Sequence, residues 1–269
     1  MICFPNCKIN LGLYVENKRN DGFHNIKTVF YPISLCDVLE ISLSKNETNL
    51  NIRGIPIEGN IETNLCVKAY HILKNDFNLP AIDIELLKTI PHGAGLGGGS
   101  SDAAFMLKLL NEYFGLNISD LELIKYASQL GSDCAFFIKN KAVIASEKGD
   151  VFREIELTLK DYFIIIVKPP VNISTPDAYK LVKPRNENID INDIILHPIN
   201  QWKDLLINDF EHSVFHKYPE IKFIKTKLYE NGALYAAMSG SGASVFGIFK
   251  NQLPEMSFDK NYFVWKSII

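Results

Sequence analysis

Pro91-His92-Gly93-Ala94-Gly95-Leu96-Gly97-Gly98-Gly99-Ser100-Ser101 is the stretch on which the reading of this chain turns. Five glycines in seven positions, 93 to 99, remove side chains from the backbone. Bared N–H groups can converge on an anion, helped by the positive end of a following helix. Residues 102–114 read as that helix, and Gly115 ends it. Ser100 and Ser101 bring hydroxyls to where a phosphate oxygen or a phosphate-bound Mg²⁺ would lie. Lys88, just upstream, offers positive charge or a nucleotide contact. The plain alternative is a tightly turned surface loop, and the helix start that follows at once counts against it.

Two phosphate-loop patterns can be tested on these residues. The P-loop ends in Gly-Lys-Ser/Thr, and no lysine stands in that place. The dinucleotide pattern Gly-x-Gly-x-x-Gly matches at Gly93, Gly95 and Gly98. That pattern also needs a second strand ending in an acid about 20 residues on. Instead Ser119-Asp120-Leu121-Glu122 has the Ser-x-x-Glu spacing of a capping box and opens a second helix, to about residue 130. A nicotinamide-dependent oxidoreductase therefore fails on context.

Outward from the loop, residues 9–15, 25–32, 37–44, 49–53 and 81–87 read as strands, and 64–77 has helical spacing. Pro56 and Gly59 mark a turn-rich stretch between them. Short strands are expected around Val143 and Val151, on either side of a Gly149-Asp150 turn. Residues 162–167 form a continuous apolar strand, central in its sheet. Thr175-Pro176 looks like an N-cap with proline at the first helical position. Residues 183–200 read as a loop, 204–216 and 218–230 as helices, and 234–238 and 245–249 as strands. Strands and helices mix without strict alternation, which argues α+β rather than a doubly wound sheet. The weakest seam lies between residues 149 and 161. It sets the expected domains at 1–155 and 156–269.

The chain has 269 residues, 47% of them hydrophobic and 22% charged, as expected of a folded globular protein. Its 28 Lys+Arg against 31 Asp+Glu give a formal charge of -3, which disfavours a general nucleic-acid binder. Apolar runs are too short to span a bilayer and the N-terminus has no signal-peptide pattern, so a cytoplasmic protein without a membrane partner is expected. Cys3, Cys7, Cys36, Cys66 and Cys134 form no Cys-x-x-Cys pair and read as free, mostly buried thiols. His212 and His216 stand four apart without an evident third ligand. Lys222, Lys225 and Lys227 read as a solvated helix face.

Two further clusters bear on function. Lys8 and Asn10 share one face of the first strand, with Ile9 and Leu11 on the other. A lysine and an amide projecting together can orient a hydroxyl and a phosphoryl group, although spacing alone favours two solvated residues. Met238-Ser239-Gly240-Ser241-Gly242-Ala243-Ser244 is a second small-residue loop, either a plain hairpin or a place of close approach to a ligand.

Taken together, these three segments resemble the motifs of the GHMP kinase family. Lys8 with Asn10 is similar to the first motif, residues 91–104 to the second, and residues 239–245 to the third. Asp21-Gly22-Phe23-His24, the Gly-Leu-Gly-Gly-Gly-Ser-Ser run from Gly95 to Ser101, Gly131-Ser132-Asp133 and Asn208-Asp209-Phe210-Glu211 resemble the branch whose acceptor is a cytidylyl methylerythritol. The resemblance implies a two-domain kinase with its active site in the cleft between domains, using ATP and Mg²⁺ on a small-molecule substrate.

By the same resemblance, Lys8 and Asp133 are the catalytic pair and Asn10 positions the substrate. Phe23 and Tyr179 sandwich a cytosine whose edge His24 binds. Asn64 and Lys88 lie near adenine. Pro91, His92, Gly93, Ala94, Gly95, Leu96, Gly97, Gly98, Gly99, Ser100 and Ser101 hold the ATP phosphates, with Ser101 as the protein contact to the metal. Asp133 would take the acceptor's proton, and an adjacent lysine would keep its carboxylate ionised. Phe23 stands where the family usually has tyrosine, and Cys7 where it has alanine. The alternatives are another kinase of the family, of mevalonate or homoserine type, and a nucleotide-binding regulator without catalysis.

Overall fold

The computed structural model describes residues 1–57, 60–182, 184–185 and 189–269. Gly59 of the turn-rich stretch and Lys183 of the expected loop lie outside the described residues. In chain order the strands and α-helices are β1 (Ile2–Cys3), β2 (Asn6–Lys18), β3 (His24–Cys36), β4 (Val38–Leu43), β5 (Asn49–Gly54), α1 (Leu65–Phe77), β6 (Ile82–Lys88), α2 (Gly98–Tyr113), α3 (Asp120–Leu130) and α4 (Cys134–Lys139). There follow β7 (Val143–Ser146), β8 (Val151–Glu154), β9 (Phe163–Lys168), α5 (Thr175–Leu181), α6 (Ile191–Leu196), α7 (Trp202–Leu205), α8 (Phe210–Lys217), α9 (Pro219–Glu230), β10 (Tyr235–Met238), β11 (Val245–Phe249) and β12 (Phe263–Ile268). Two compact units result, each discontinuous in sequence. The first comprises Met1–Cys7, Leu35–His92 and Gly97–Lys141; the second comprises Lys8–Ser34, Gly93–Leu96 and Ala142–Ile269.

In the first unit the sheet order is β1-β4-β6-β5, with β5 parallel to β6 and the other pairs antiparallel. The period-2 rule sends Ile82, Ile84, Leu86 and Lys88 of β6 to one face, and all four are buried. That alternation carries a lysine into the interior. Helix α1 opens on Asn64, whose Oδ1 accepts the Cys66 N–H at 2.9 Å, and buries Cys66, Ala69, Tyr70 and Leu73 at helical spacing. The expected capping box at Ser119 and Glu122 opens α3.

Helix α2 begins at Gly98, four residues before the expected start, because Gly97 at φ 71 turns the chain and the Ser101 N–H already bonds the Gly97 carbonyl at 2.9 Å. Helix α4 was not anticipated. Its Cys-Ala-Phe-Phe-Ile run is buried throughout and shows no amphipathic period to read.

The second unit holds two sheets, β10-β11-β9-β12 and β2-β3-β7-β8. β9 is an inner strand, as its apolar run predicts, and pairs antiparallel with β11 and β12. Its core joins Ile165 and Val167 to Phe210, Val214, Ile221, Ile224 and Leu228 of α8 and α9.

Three expectations are corrected here. The helix expected over 204–216 is interrupted, because Asn208 and Asp209 bond elsewhere. The Leu13 N–H reaches the Ile207 carbonyl at 2.9 Å and the Asp209 N–H reaches the Leu13 carbonyl at 2.8 Å. The expected loop over 183–200 contains α6, capped by Asp190. The N-cap of α5 is Ser174, not Thr175. No helix among the described residues is long and apolar enough to cross a membrane.

Candidate active site

Lys8 and Asn10 are not solvated. Both are buried, at 3% and 1% exposure. The Lys8 ammonium donates to Asn10 Oδ1 at 2.6 Å and lies 4.5 Å above the centre of the Phe30 ring. Asn10 Nδ2 donates to Thr28 Oγ1 at 2.9 Å, and that hydroxyl donates to the Gly12 carbonyl at 2.5 Å. Neighbouring strands thus lock the amide so that its oxygen faces the lysine. Sequence reading missed Thr28, for a lone threonine in a strand carries no signal of its own.

The second small-residue loop reaches the same residues. The Asn10 N–H donates to Ser239 Oγ at 3.2 Å, and the Ser239 hydroxyl lies 2.8 Å from the Gly95 carbonyl. Gly95 sits at φ +73, and a Cβ there would fall 1.9 Å from the Ser239 carbonyl oxygen. The Lys8 N–H bonds the Leu96 carbonyl at 3.0 Å and the Ser244 N–H bonds the Ala94 carbonyl at 3.2 Å. Lys8, Asn10, residues 93–96 of the glycine loop and the Ser239 loop are therefore brought together within the second unit.

His24 and Tyr179 also belong to the second unit. Their rings stack, with centroids 4.9 Å apart and planes at 16°, and Tyr179 meets Phe210 edge-on at 4.9 Å. Burial, with the nearby Lys18 charge, lowers the His24 pKa and favours the neutral ring. Phe23 is 58% exposed, with the Lys148 ammonium 5.5 Å above its ring. In this arrangement His24 lies against a face of Tyr179, whereas the family resemblance implies it at the edge of a base.

In the first unit Asn64, Lys88, His92, Gly99 and Asp102 line a cavity of about 240 Å³. Lys88 is held between two carboxylates, with Asp37 Oδ2 on one side and Asp102 Oδ2 at 2.6 Å on the other. Asp37 Oδ1 also accepts the N–H groups of Thr89 and Ile90, at 2.6 and 2.9 Å. Burial lowers the Lys88 pKa, but the two carboxylates outweigh it and the net direction is up. Burial pushes the Asp102 carboxyl up to about 7, with Lys88 pulling it down and Asp37 adding to the rise. Neither Asp37 nor Asp102 was anticipated from sequence. The clue was Lys88 itself, because a lysine on the buried parity of a strand needs acidic partners.

Ser101 Oγ and Asp102 Oδ1 are buried without a hydrogen-bond partner. The Ser101 hydroxyl, in the first turn of α2, thus has unused capacity in a position suited to an anion or a phosphate-bound cation. A Cβ on Gly98 would meet Ile90 Cγ2 at 2.8 Å, so this start of the helix lies close on the end of β6. Asp133 is the N-cap of α4. Burial pushes the thiol of the next residue, Cys134, up to about 11, which keeps it from acting as a nucleophile near neutrality. Among the described residues no group of three or more His, Cys, Asp or Glu is placed to hold a metal ion.

Comparison with known proteins gives concordant matches in both halves of the chain. The family model described as GHMP kinases N terminal domain matches residues 64–141, and GHMP kinases C terminal matches residues 196–255. A 4-diphosphocytidyl-2-C-methyl-D-erythritol kinase of Bacteroides fragilis is 53% identical, covering 96% of each chain. The enzyme of that name from Porphyromonas gingivalis is 48% identical, covering 100% of each. A crystal structure of 4-(cytidine 5'-diphospho)-2C-methyl-D-erythritol kinase matches with a TM-score of 0.80 at 29% identity, covering 92% of this chain and 90% of that one. Mevalonate kinase from Methanococcus jannaschii shares the fold, with a TM-score of 0.70 at 14% identity.

Proposed function

The chain belongs to the GHMP kinase family, and on that premise we propose that it transfers the γ-phosphoryl group of ATP to the 2-hydroxyl of 4-diphosphocytidyl-2-C-methyl-D-erythritol, in non-mevalonate isoprenoid precursor biosynthesis. The observation that carries this reading is identity of 48–53% over almost the whole length with enzymes of that name. One P–O bond to ADP breaks and one to the tertiary alcohol forms, and the alcohol's proton leaves to a base. The products are ADP and the 2-phosphate of the cytidylyl substrate.

Phosphoryl transfer needs little covalent chemistry from a protein; it needs positioning and charge stabilisation. In our reading Asp133 accepts the hydroxyl proton as the new bond forms. Lys8 stabilises charge on the transferring group, and Asn10 orients the acceptor. The bond from Lys8 to Asn10 at 2.6 Å supports these roles, since it fixes the ammonium before any ligand arrives. Backbone N–H groups over residues 91–101 take the β and γ phosphates. Asn64 and Lys88 take the adenine side, and Phe23, His24 and Tyr179 take the cytosine.

Mg²⁺ fits this arrangement as an ion carried mainly by the nucleotide and water, with the unpartnered Ser101 hydroxyl as the protein's contribution. When bound it neutralises charge on the β and γ phosphates. Residues 1–155 would carry the phosphate loop and 156–269 complete the substrate site with Tyr179. A soluble cytoplasmic enzyme without nucleic-acid partners fits the small-molecule chemistry.

The test is ADP release with ATP and Mg²⁺ and, in turn, the cytidylyl substrate, mevalonate, homoserine and no acceptor. Release with the cytidylyl substrate alone is expected. Release with another acceptor would move the chain to a different kinase of the family. Acceptor-independent release, or none, would favour a non-catalytic nucleotide binder.

A further inference from the structure

Two segments that stand out in the sequence have no part in the roles above, the 208–211 run Asn-Asp-Phe-Glu and the loop that carries Ser239. They meet in the second unit. Asn208 is 3% exposed, and its Nδ2 donates to the carbonyls of Met238 and Gly240, each at 2.8 Å. Those carbonyls stand on either side of Ser239. Glu211 takes the Met238 N–H at 2.8 Å with Oε1 and the Lys225 ammonium at 2.6 Å with Oε2. Asn208 is itself anchored: its Oδ1 accepts the Phe210 N–H at 3.0 Å, and its backbone bridges Leu13 of β2.

From Ser239 the constraint passes on. Its hydroxyl has one hydrogen and two acceptors in reach, the Gly95 carbonyl at 2.8 Å and Asn10 Oδ1 at 3.3 Å. The hydrogen goes to the shorter contact, which leaves the oxygen to accept the Asn10 N–H at 3.2 Å. Asn10 then presents Oδ1 to the Lys8 ammonium at 2.6 Å. The bonds from Asn208 to the Ser239 loop, from Ser239 to Asn10 and from Asn10 to Lys8 are buried, and a buried network of this kind holds its members more firmly than an exposed one.

We propose that Asn208 is a positioning residue for the phosphoryl-transfer reaction. Its two amide hydrogens fix the carbonyls flanking Ser239, and through Ser239 and Asn10 they set where the Lys8 ammonium lies. The effect on turnover rests on the kinase reading above; the mechanical link to Lys8 does not. Asn208 touches neither reacting group, so it acts on the rate only by what it does to Lys8.

The experiment uses the full chain carrying Asn208→Ala. Asn208→Ser, whose hydroxyl can still accept the Phe210 N–H, serves if the alanine variant does not fold. With ATP and the cytidylyl acceptor, kcat should fall on the order of 10- to 100-fold while KM for ATP moves by less than about threefold. Combined with Ser239→Ala, the loss should not exceed that of the more damaging single variant, because both cut one chain of contacts.

A second readout needs no turnover. Lys8 is acetylated with an N-hydroxysuccinimide ester and quantified by peptide mass spectrometry against exposed Lys45. The Lys8 rate should rise severalfold in the variant. Unchanged Lys8 labelling, or multiplicative losses in the double variant, would overturn the proposal even if kcat fell, since Asn208 would then act only on the fold. If the unmodified chain shows no acceptor-dependent ADP release, the kinase reading falls and labelling alone decides the link.

Discussion

Asp102→Asn is the sharpest perturbation of the first unit. In the native chain Asp102 Oδ2 bonds the Lys88 ammonium at 2.6 Å, while Oδ1 is buried without a partner. Burial and the facing Asp37 push the carboxyl from 3.8 up to about 7, against the pull of Lys88. Between those two values the folded chain holds a proton that the unfolded chain has released. Stability therefore falls as pH rises through that window, since the state that binds more protons is the folded one. Linkage with these two values puts the cost at roughly 2 kcal/mol at pH 5 and about 4 kcal/mol at pH 8.

Asparagine keeps the shape and an acceptor for Lys88 but does not titrate, and Lys88 retains Asp37 in either protein. The variant should therefore gain on the native chain by roughly 2 to 3 kcal/mol between pH 5 and pH 8. Urea unfolding of both proteins at pH 5, 6, 7 and 8, followed by far-UV circular dichroism, measures the gap. A gap equal at pH 5 and pH 8, or one that narrows with rising pH, would refute the reasoning. Lys88 would then hold Asp102 ionised throughout.

Three other outcomes follow from the site. Asp133→Asn should abolish turnover and leave ATP binding nearly intact by calorimetry; turnover like that of the native chain would remove Asp133 as the base. Tyr179→Ala removes the ring on which His24 stacks at 4.9 Å, and should raise KM for the cytidylyl substrate on the order of tenfold or more, at about 1–3 kcal/mol per base–aromatic stack, with KM for ATP little changed. Equal losses for both ligands would contradict it. Gly95→Ala should lower Tm and kcat/KM far more than Gly93→Ala, because a Cβ at 95 meets the Ser239 carbonyl at 1.9 Å while one at 93 meets only Asn172 at 3.9 Å. Comparable losses would show that backbone conformation, not the contact with Ser239, governs the loop.

Much of the fold was legible because its signals are local. Alternation in β4 and β6, the capping box of α3 and the apolar run of β9 depend on neighbouring residues only. What escaped depends on partners distant in sequence. Helical spacing over 204–216 was real, yet Leu13 draws residues 207–209 out of the helix with two backbone bonds. The early start of α2 is written in Gly97 and in the contact of Gly98 with Ile90, not in helix propensity, which glycines and serines lack. In the site, Lys8 and Asn10 could be found from their shared face. Their burial, and the hold on them of Thr28 and of Ser239 from 229 residues away, could not.

Net charge alone gives a poor picture of how phosphate would be held. A chain at -3 that binds two polyanions needs local attraction, and Lys88 looks like one source of it. Its ammonium, however, lies between Asp37 and Asp102, so the three groups together carry no net positive charge. With Asp102 at about 7, the cluster sits between neutral and one negative charge near physiological pH. Any contact from Lys88 to a nucleotide is therefore one of shape and hydrogen bonding, not of net Coulomb pull. The attraction must come from groups without a compensating carboxylate. The N–H groups at the start of α2 are of that kind: they are partial charges fixed in the backbone, which no shift in side-chain protonation removes. On the proposed reading, a loop of glycines is the device that would let an acidic chain use them.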